Sequence, residues 1–180
     1  MRRVLTQSFF DRPTLMVAKE LLGKFLVRRV GKKTIVGMIT EVEAYVGPDD
    51  KASHASRGKT PRTKVMFGRA GYWYVYLVYG MHHCLNIVTE KESYPAAILI
   101  RSVHSVSGPG RVSKYFHIDK KLSERSSSRA SGLWIEDRGV RDVKIKSGKR
   151  IGVDYAGRWK HKPWRLTLEQ HRDKKNHPIV

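Results

Sequence analysis

Two acids and a tyrosine, alternating along one stretch, are the first chemistry the sequence offers. In Thr34–Tyr45, period-two alternation puts Ile35, Ile39, Glu41, Glu43 and Tyr45 on one face of a strand. Val36, Met38, Val42 and Ala44 fill the other, which reads as core. Acids at the end of an apolar strand are partners for local arginines, or they do work. A carboxylate can take the proton of a water and face the positive charge of an oxocarbenium-like sugar. His54 follows in a polar loop, Gly47-Pro48-Asp49-Asp50-Lys51-Ala52-Ser53-His54. His82 and His83 would have to join it for a histidine metal site. No HExxH or paired His/Cys spacing supports one, so no metal is expected.

The second cluster is aromatic. Gly71-Tyr72-Trp73-Tyr74-Val75-Tyr76-Leu77-Val78-Tyr79-Gly80-Met81 carries five aromatics in the eight residues from Tyr72 to Tyr79. Trp73 and Tyr74 read as packing. Tyr79 stands beside the glycine of a hairpin turn, where an aromatic is a candidate wedge between base pairs. Tyr76, three residues back, faces a pocket instead of the tip. Asn86, on the returning strand, reads a base edge through its amide or is an ordinary strand hydrogen-bonder.

These groups need a frame. Asp11-Arg12-Pro13 opens a helix, Asp11 as the capping residue and Pro13 in the first turn, with Leu15, Ala18 and Leu22 at helical spacing and Gly23 ending it. Lys24–Val30, a Gly31-Lys32-Lys33 turn and Thr34–Tyr45 form a hairpin. Tyr72–Tyr79 and His82–Thr89 form a second around Gly80, and Pro95–Val103 is another strand. Residues 109–118 are helical. Gly132–Glu136, Arg150–Val153 and Trp164–Leu168 read as short late strands. Ser123–Ser131 is a polar low-complexity loop, expected to be mobile. The pattern is a strand-rich α+β protein without repeated βαβ units.

Composition narrows the partners. The chain has 180 residues, enough for one domain with a sizeable core. Net charge is +20. The excess is eight in residues 1–90 (15 basic, 7 acidic) and twelve in 91–180 (21 basic, 9 acidic), so it is spread through the fold. A polyanion is the natural partner, since each phosphate neutralised releases counterions. Charge alone leaves open DNA or RNA, binder or enzyme. The single cysteine, Cys84, excludes an intramolecular disulfide and thiolate zinc sites. No stretch approaches the roughly 20 apolar residues of a membrane span. The N-terminus lacks the apolar core of a secretory signal, and an intracellular place, cytoplasm or nucleus, is expected.

Taken together the segments resemble the alkyladenine (3-methyladenine) DNA glycosylase family. The resemblance rests on Glu41-Val42-Glu43-Ala44-Tyr45-Val46-Gly47-Pro48-Asp49-Asp50, His54, Thr60-Pro61-Arg62, Met66-Phe67 and Tyr74 through Met81. Asn86, Arg101, Ser107-Gly108-Pro109, Arg150-Ile151-Gly152-Val153 and Ala156-Gly157-Arg158-Trp159 extend it to roughly residues 4–168. It implies that Glu43 is the general base, with Arg101 and the backbone carbonyl of Ile151 holding the water. Tyr45 then stacks on one face of a flipped base, His54 and Tyr76 on the other. Asn86 disfavours guanine by crowding its exocyclic amine, Tyr79 intercalates, and Arg62 and Arg111 meet the DNA backbone. It also implies a single mixed domain over residues 1–180, with a curved antiparallel sheet flanked by helices and a protruding hairpin. The implied activity is base-excision repair: hydrolysis of alkylated or deaminated purines from double-stranded DNA by a monomer without cofactor. Arg111 stands where lysine is expected and His82 and His83 where aromatics are common; residues 171–180 form a basic tail with no counterpart. A non-catalytic basic nucleic-acid-binding protein, or a nuclease using His54, His82 or His83, are the competing classes.

Overall fold

The computed structural model describes residues 2–78 and 80–169. Tyr79 and the basic tail therefore lie outside the described residues. The strands are β1 (Arg3–Val4), β2 (Phe25–Val30), β3 (Lys33–Val46), β4 (Trp73–Val78), β5 (His82–Val88), β6 (Ala96–Val103), β7 (Val106–Ser107), β8 (Leu133–Asp137), β9 (Ile145–Gly148) and β10 (Arg165–Leu168). The α-helices are α1 (Gln7–Phe10), α2 (Thr14–Leu21) and α3 (Pro109–Tyr115). Every pairing between these strands is antiparallel. Seven run in the order β1-β8-β2-β3-β6-β5-β4, with β7 on β6 and β10 bridging β3 to β9. The α+β class and both hairpins are as the alternation dictates. Among the described residues no helix is long and apolar enough to cross a membrane.

Period two makes this sheet two-sided. Val42 and Ala44 of β3, Trp73 and Val75 of β4, Leu85 and Ile87 of β5, and Ile98 and Ile100 of β6 join one buried cluster. Val17, Ala18 and Leu21 of α2 pack into it, as do Val112 of α3 and Phe116 just after it. The intervening residues face the other way. Glu43 opposes Leu99, Leu99 opposes Asn86, and Asn86 opposes Tyr74, a straight row across four strands. Directly opposed residues share a face, so a strongly apolar core on one side forces this mixed row onto the other.

Four expectations need revision. Ile35 and Ile39 do not share the face of Glu41: Ile39 lies in the core with Val42 and Ala44 and Ile35 packs against it, whereas Val36 and Met38 are not part of that core. The register shifts between Ile39 and Glu41 and again between Glu41 and Val42. An extra residue, Thr40, breaks the alternation, and Arg101 is the matching extra residue on β6. Second, Arg150–Val153 is loop, not strand; the strand is the earlier Ile145–Gly148. Third, Ser123–Ser131 is tied down. Arg125 O accepts from Trp73 N at 2.8 Å, and Ser127 N donates to Gly71 O at 2.7 Å. Fourth, Pro13, not Asp11, occupies the cap position of α2, and Glu90 from a distant turn accepts from Thr14 N and Oγ1 at 2.6 and 2.8 Å.

Candidate active site

The double register shift builds the centre of the site. A bulge places two residues of one strand opposite one of its partner and re-aims side chains. Here Arg101 and Ser102 both reach Glu41. Ser102 Oγ donates to Glu41 Oε2 at 2.6 Å and Arg101 Nε lies 3.3 Å from Oε1. Arg165 from β10 adds a hydrogen bond to the same Oε1 at 3.1 Å. Burial pushes the Glu41 carboxyl up, but the Ser102 and Arg165 bonds and the charge of Arg101 prevail and hold it below its ordinary 4.5.

Glu43, one pleat on, is completely buried. Its Oε1 accepts from the backbone N–H of Ile151 at 2.8 Å and its Oε2 from the Tyr45 hydroxyl at 2.9 Å. Arg101 Nη1 approaches Oε1 at 3.5 Å, an ion pair without hydrogen-bonding geometry. Arg101 Nε is buried and makes no hydrogen bond among the described residues. Burial, then the charge of Glu43, drives the Tyr45 phenol well above its usual 10, so it keeps the proton it donates.

A cavity of about 420 Å³ opens over this centre. Tyr45, His54, Arg62, Tyr76, Asn86, Arg101 and Ile151 all line it. Glu43 lies behind the lining, beneath Tyr45, Arg101 and Ile151. The residues expected to share a site, drawn from β3, β4, β5, β6 and two loops, do converge. Arg111 does not line this cavity; it is exposed on α3. Asn86 gives both amide hydrogens to backbone, at 3.1 Å to Tyr74 O and 3.3 Å to Cys84 O. That fixes the side chain and leaves Oδ1 as its acceptor.

His54 starts a 3₁₀ turn, His54–Arg57, capped by Ser53 Oγ on Ala55 N. Its ring meets Tyr76 edge-on, centroids 4.6 Å apart, and its Nδ1 pairs with Tyr74 Oη at 3.0 Å. Burial, then the charges of Arg62 and Arg57, lower its pKa from 6.5 to about 4, so the imidazole is neutral near pH 7. Burial likewise raises the Tyr76 phenol and the Cys84 thiol. Among the described residues no three His, Cys, Asp or Glu side chains gather as a metal-ligand set.

The chain matches the family model described as "Methylpurine-DNA glycosylase (MPG)" over residues 8–108 and 103–172. It is similar to proteins each named "Putative 3-methyladenine DNA glycosylase". One from Legionella pneumophila (strain Lens) is 48% identical over 164 residues, covering 87% of this chain and 90% of that one. One from Methanocella arvoryzae is 44% identical over 183 residues, covering 91% of each. One from Myxococcus xanthus is 44% identical over 173 residues, covering 91% and 89%. The chain belongs to the methylpurine-DNA glycosylase family. It is thus a DNA-repair hydrolase with DNA as its substrate.

In this methylpurine-DNA glycosylase one further feature of the site has no local signature in the sequence. Asp50 and Arg150, both side chains fully buried, form a two-armed ion pair at 2.5 and 2.8 Å. Arg150 also donates to Ala44 O at 2.9 Å and to Trp159 O at 3.2 Å, and its guanidinium lies 4.9 Å from the Tyr45 ring. Asp50 in turn accepts from Val46 N and Ala52 N. This knot ties two loops to the end of β3 and sets the Ile151 N–H on Glu43. In the sequence Asp50, the second aspartate after Gly47-Pro48, reads as an ordinary turn residue, and nothing links it to Arg150.

Proposed function

We propose that this chain excises alkylated or deaminated purines, of the 3-methyladenine or hypoxanthine type, from double-stranded DNA. The base flips into the 420 Å³ cavity, and water hydrolyses its N-glycosidic bond. Flipping is required because the bond is inaccessible in a stacked duplex. The observation that carries the reading is a completely buried carboxylate, Glu43, held by two neutral donors and one guanidinium against an aromatic cavity.

The chemistry follows from the groups present. Two of the roughly four lone-pair positions of the Glu43 carboxylate are used by Ile151 N–H and Tyr45, which leaves acceptors for a water. Glu43 takes the proton as the water oxygen bonds to the sugar carbon. The bond to the purine nitrogen breaks, and its electron pair leaves with the base. Arg101 and the Ile151 carbonyl orient that water. Tyr45 stacks against one face of the base; Tyr76 and the neutral His54 ring pack on the other. A neutral histidine adds no positive charge to a cavity that Arg62 and Arg101 already line, which suits a purine made electron-poor or cationic by alkylation. Asn86 crowds the exocyclic amine of guanine. Tyr79 fills the vacated stack, and Arg62 and Arg111 hold phosphates. No lysine lines the cavity among the described residues, which fits a hydrolytic step without a Schiff base.

The test is an abasic-site assay on duplexes carrying hypoxanthine or 3-methyladenine, run in EDTA. Abasic sites at the modified position, with the strand left uncut, are the expected product. No abasic sites from either duplex would defeat the proposal and leave a non-catalytic DNA binder.

A further inference from the structure

We infer that Tyr74 is a positioning residue of the base cavity. A one-way hydrogen-bond chain, from the Arg62 guanidinium through the Tyr74 hydroxyl to His54 Nδ1, holds the His54 ring in one orientation and one tautomer, with its proton on Nε2. The inference deepens the proposed function and rests on it only in taking this cavity as the base site.

The direction of the chain follows from what each group is able to donate. Tyr74 Oη and His54 Nδ1 lie 3.0 Å apart, and the tautomer of the ring decides which of them donates. Arg62 acts on the same hydroxyl as a charged donor, and a guanidinium has no lone pair to offer in return. Arg62 lies over the neighbouring Tyr76 ring, 5.2 Å from its centroid, and the Tyr74 and Tyr76 rings are themselves 5.2 Å apart. Burial, partly offset by Arg62, raises the Tyr74 phenol above its usual 10, so it keeps its proton. Tyr74 is buried, and Nδ1 is the acceptor its hydroxyl meets among the described residues. A buried hydroxyl is costly to leave without an acceptor, so its hydrogen points at Nδ1. A neutral imidazole has a single N–H, which is then on Nε2.

Two consequences reach the cavity. Turning the imidazole over would bring a carbon to the Tyr74 hydroxyl, so the bond that sets the tautomer also fixes the ring, at 80° to Tyr76. A flipped base therefore meets a neutral ring whose open nitrogen is a donor, since Nε2 has no hydrogen bond to a described residue. The charged and titratable groups around the ring all leave it neutral. Lys51 and Arg57 share its loop, Arg62 comes from the next, Tyr74 and Tyr76 from β4, and Tyr45, Cys84 and Arg101 line the cavity with it. No carboxylate lines the cavity among the described residues.

Nitrogen NMR of the imidazole rings tests this on the free protein, with His54 assigned by its absence in His54→Gln. At pH 7 the wild type should show His54 with Nε2 protonated and Nδ1 bare. A proton on Nδ1 would overturn the inference without any variant. Tyr74→Phe keeps the packed ring and removes the hydroxyl. The Nδ1–H form and the proton affinity of His54 should each rise about fivefold, the weight of one ordinary hydrogen bond. Arg62→Met frees the Tyr74 oxygen to accept, so it too should raise the Nδ1–H form. A wild-type tautomer ratio in Tyr74→Phe would overturn the positioning role, and one in Arg62→Met alone would remove Arg62 from the chain. Excision of hypoxanthine by the wild type is scored in parallel. No excision, beside a Tyr74-dependent Nε2–H ring, would strike the proposed function and leave the chain standing.

Discussion

Glu41 and Glu43 stand two residues apart on one strand, with the same side chain and on the same face of the sheet, yet they are held in opposite ways. Glu41 is compensated by charge: Arg165 hydrogen-bonds it and Arg101 lies within ion-pair distance, with Ser102 on the other oxygen. Glu43 is compensated mainly by neutral donors, the Ile151 N–H and the Tyr45 hydroxyl, with one guanidinium at 3.5 Å. An acid already neutralised by short ion pairs is a poor proton acceptor. An acid held in place by neutral dipoles keeps its charge for a reacting group. The difference separates a structural acid from a candidate catalytic one.

The sharpest way to break this contrast is to remove each charge in turn. Glu43→Gln should lower single-turnover excision by about 10²–10⁴-fold, the usual contribution of a general base, and leave damaged-duplex affinity nearly intact. Normal excision in that variant, with a dead Glu41→Gln, would exchange the two roles. Asp50→Asn comes next, because it strands Arg150 in a fully buried position. Loss of one partner from such a pair costs about 3–5 kcal/mol, read as a lowered urea midpoint. Excision should fall with it as the Ile151 N–H shifts from Glu43.

Glu41→Gln should cost less, about 1–3 kcal/mol for charged hydrogen bonds that are partly open to solvent, and reduce excision far less than Glu43→Gln. Its linkage has a definite sign. The folded carboxyl lies below its ordinary 4.5, so its contribution is complete above that pH and is lost as pH falls through the folded value. Glu41→Gln should therefore flatten the acid limb of a stability–pH curve below about pH 4.5. A wild-type acid limb in the variant would remove Glu41 from its ion-pair role.

The effect confined to the narrowest pH range concerns His54. Its pKa falls from 6.5 to about 4 on folding. Between those values the unfolded chain binds more protons, so stability is complete above pH 6.5 and declines as pH drops toward 4. Removing the titrating ring with His54→Gln should flatten that slope, measured as urea midpoints at several pH values. An unchanged slope would place the titration elsewhere.

Much of this was legible in the linear pattern. Alternating Val, Ile and Leu against polar residues identified both hairpins and the face of Glu43, because burying one side of a sheet leaves no other phase. The misplacement of Ile39 has an equally physical cause. A bulge inserts a residue without changing composition, and no local signal marked Thr40 or Arg101 as the extra residues. The Ser-rich loop read as mobile because serine lacks apolar bulk; backbone bonds to Gly71 and Trp73 secure it instead.

The sequence by itself determined the α+β class, the cationic surface and the family, through patterns local enough to survive as strings of residues. It also brought forward Glu43, Tyr45, His54, Tyr76, Asn86 and Arg101. Only the tertiary structure gave the choice of Glu43 over Glu41 a physical basis, since their surroundings are built by groups more than fifty residues away: Arg101, Ser102, Ile151 and Arg165. Only it joined Asp50 to Arg150, 100 residues apart, into the knot behind the acid. Hydrophobic alternation is a short-range code, whereas a carboxylate's electrostatic surroundings are assembled by chain closure, and closure leaves no mark on neighbouring residues.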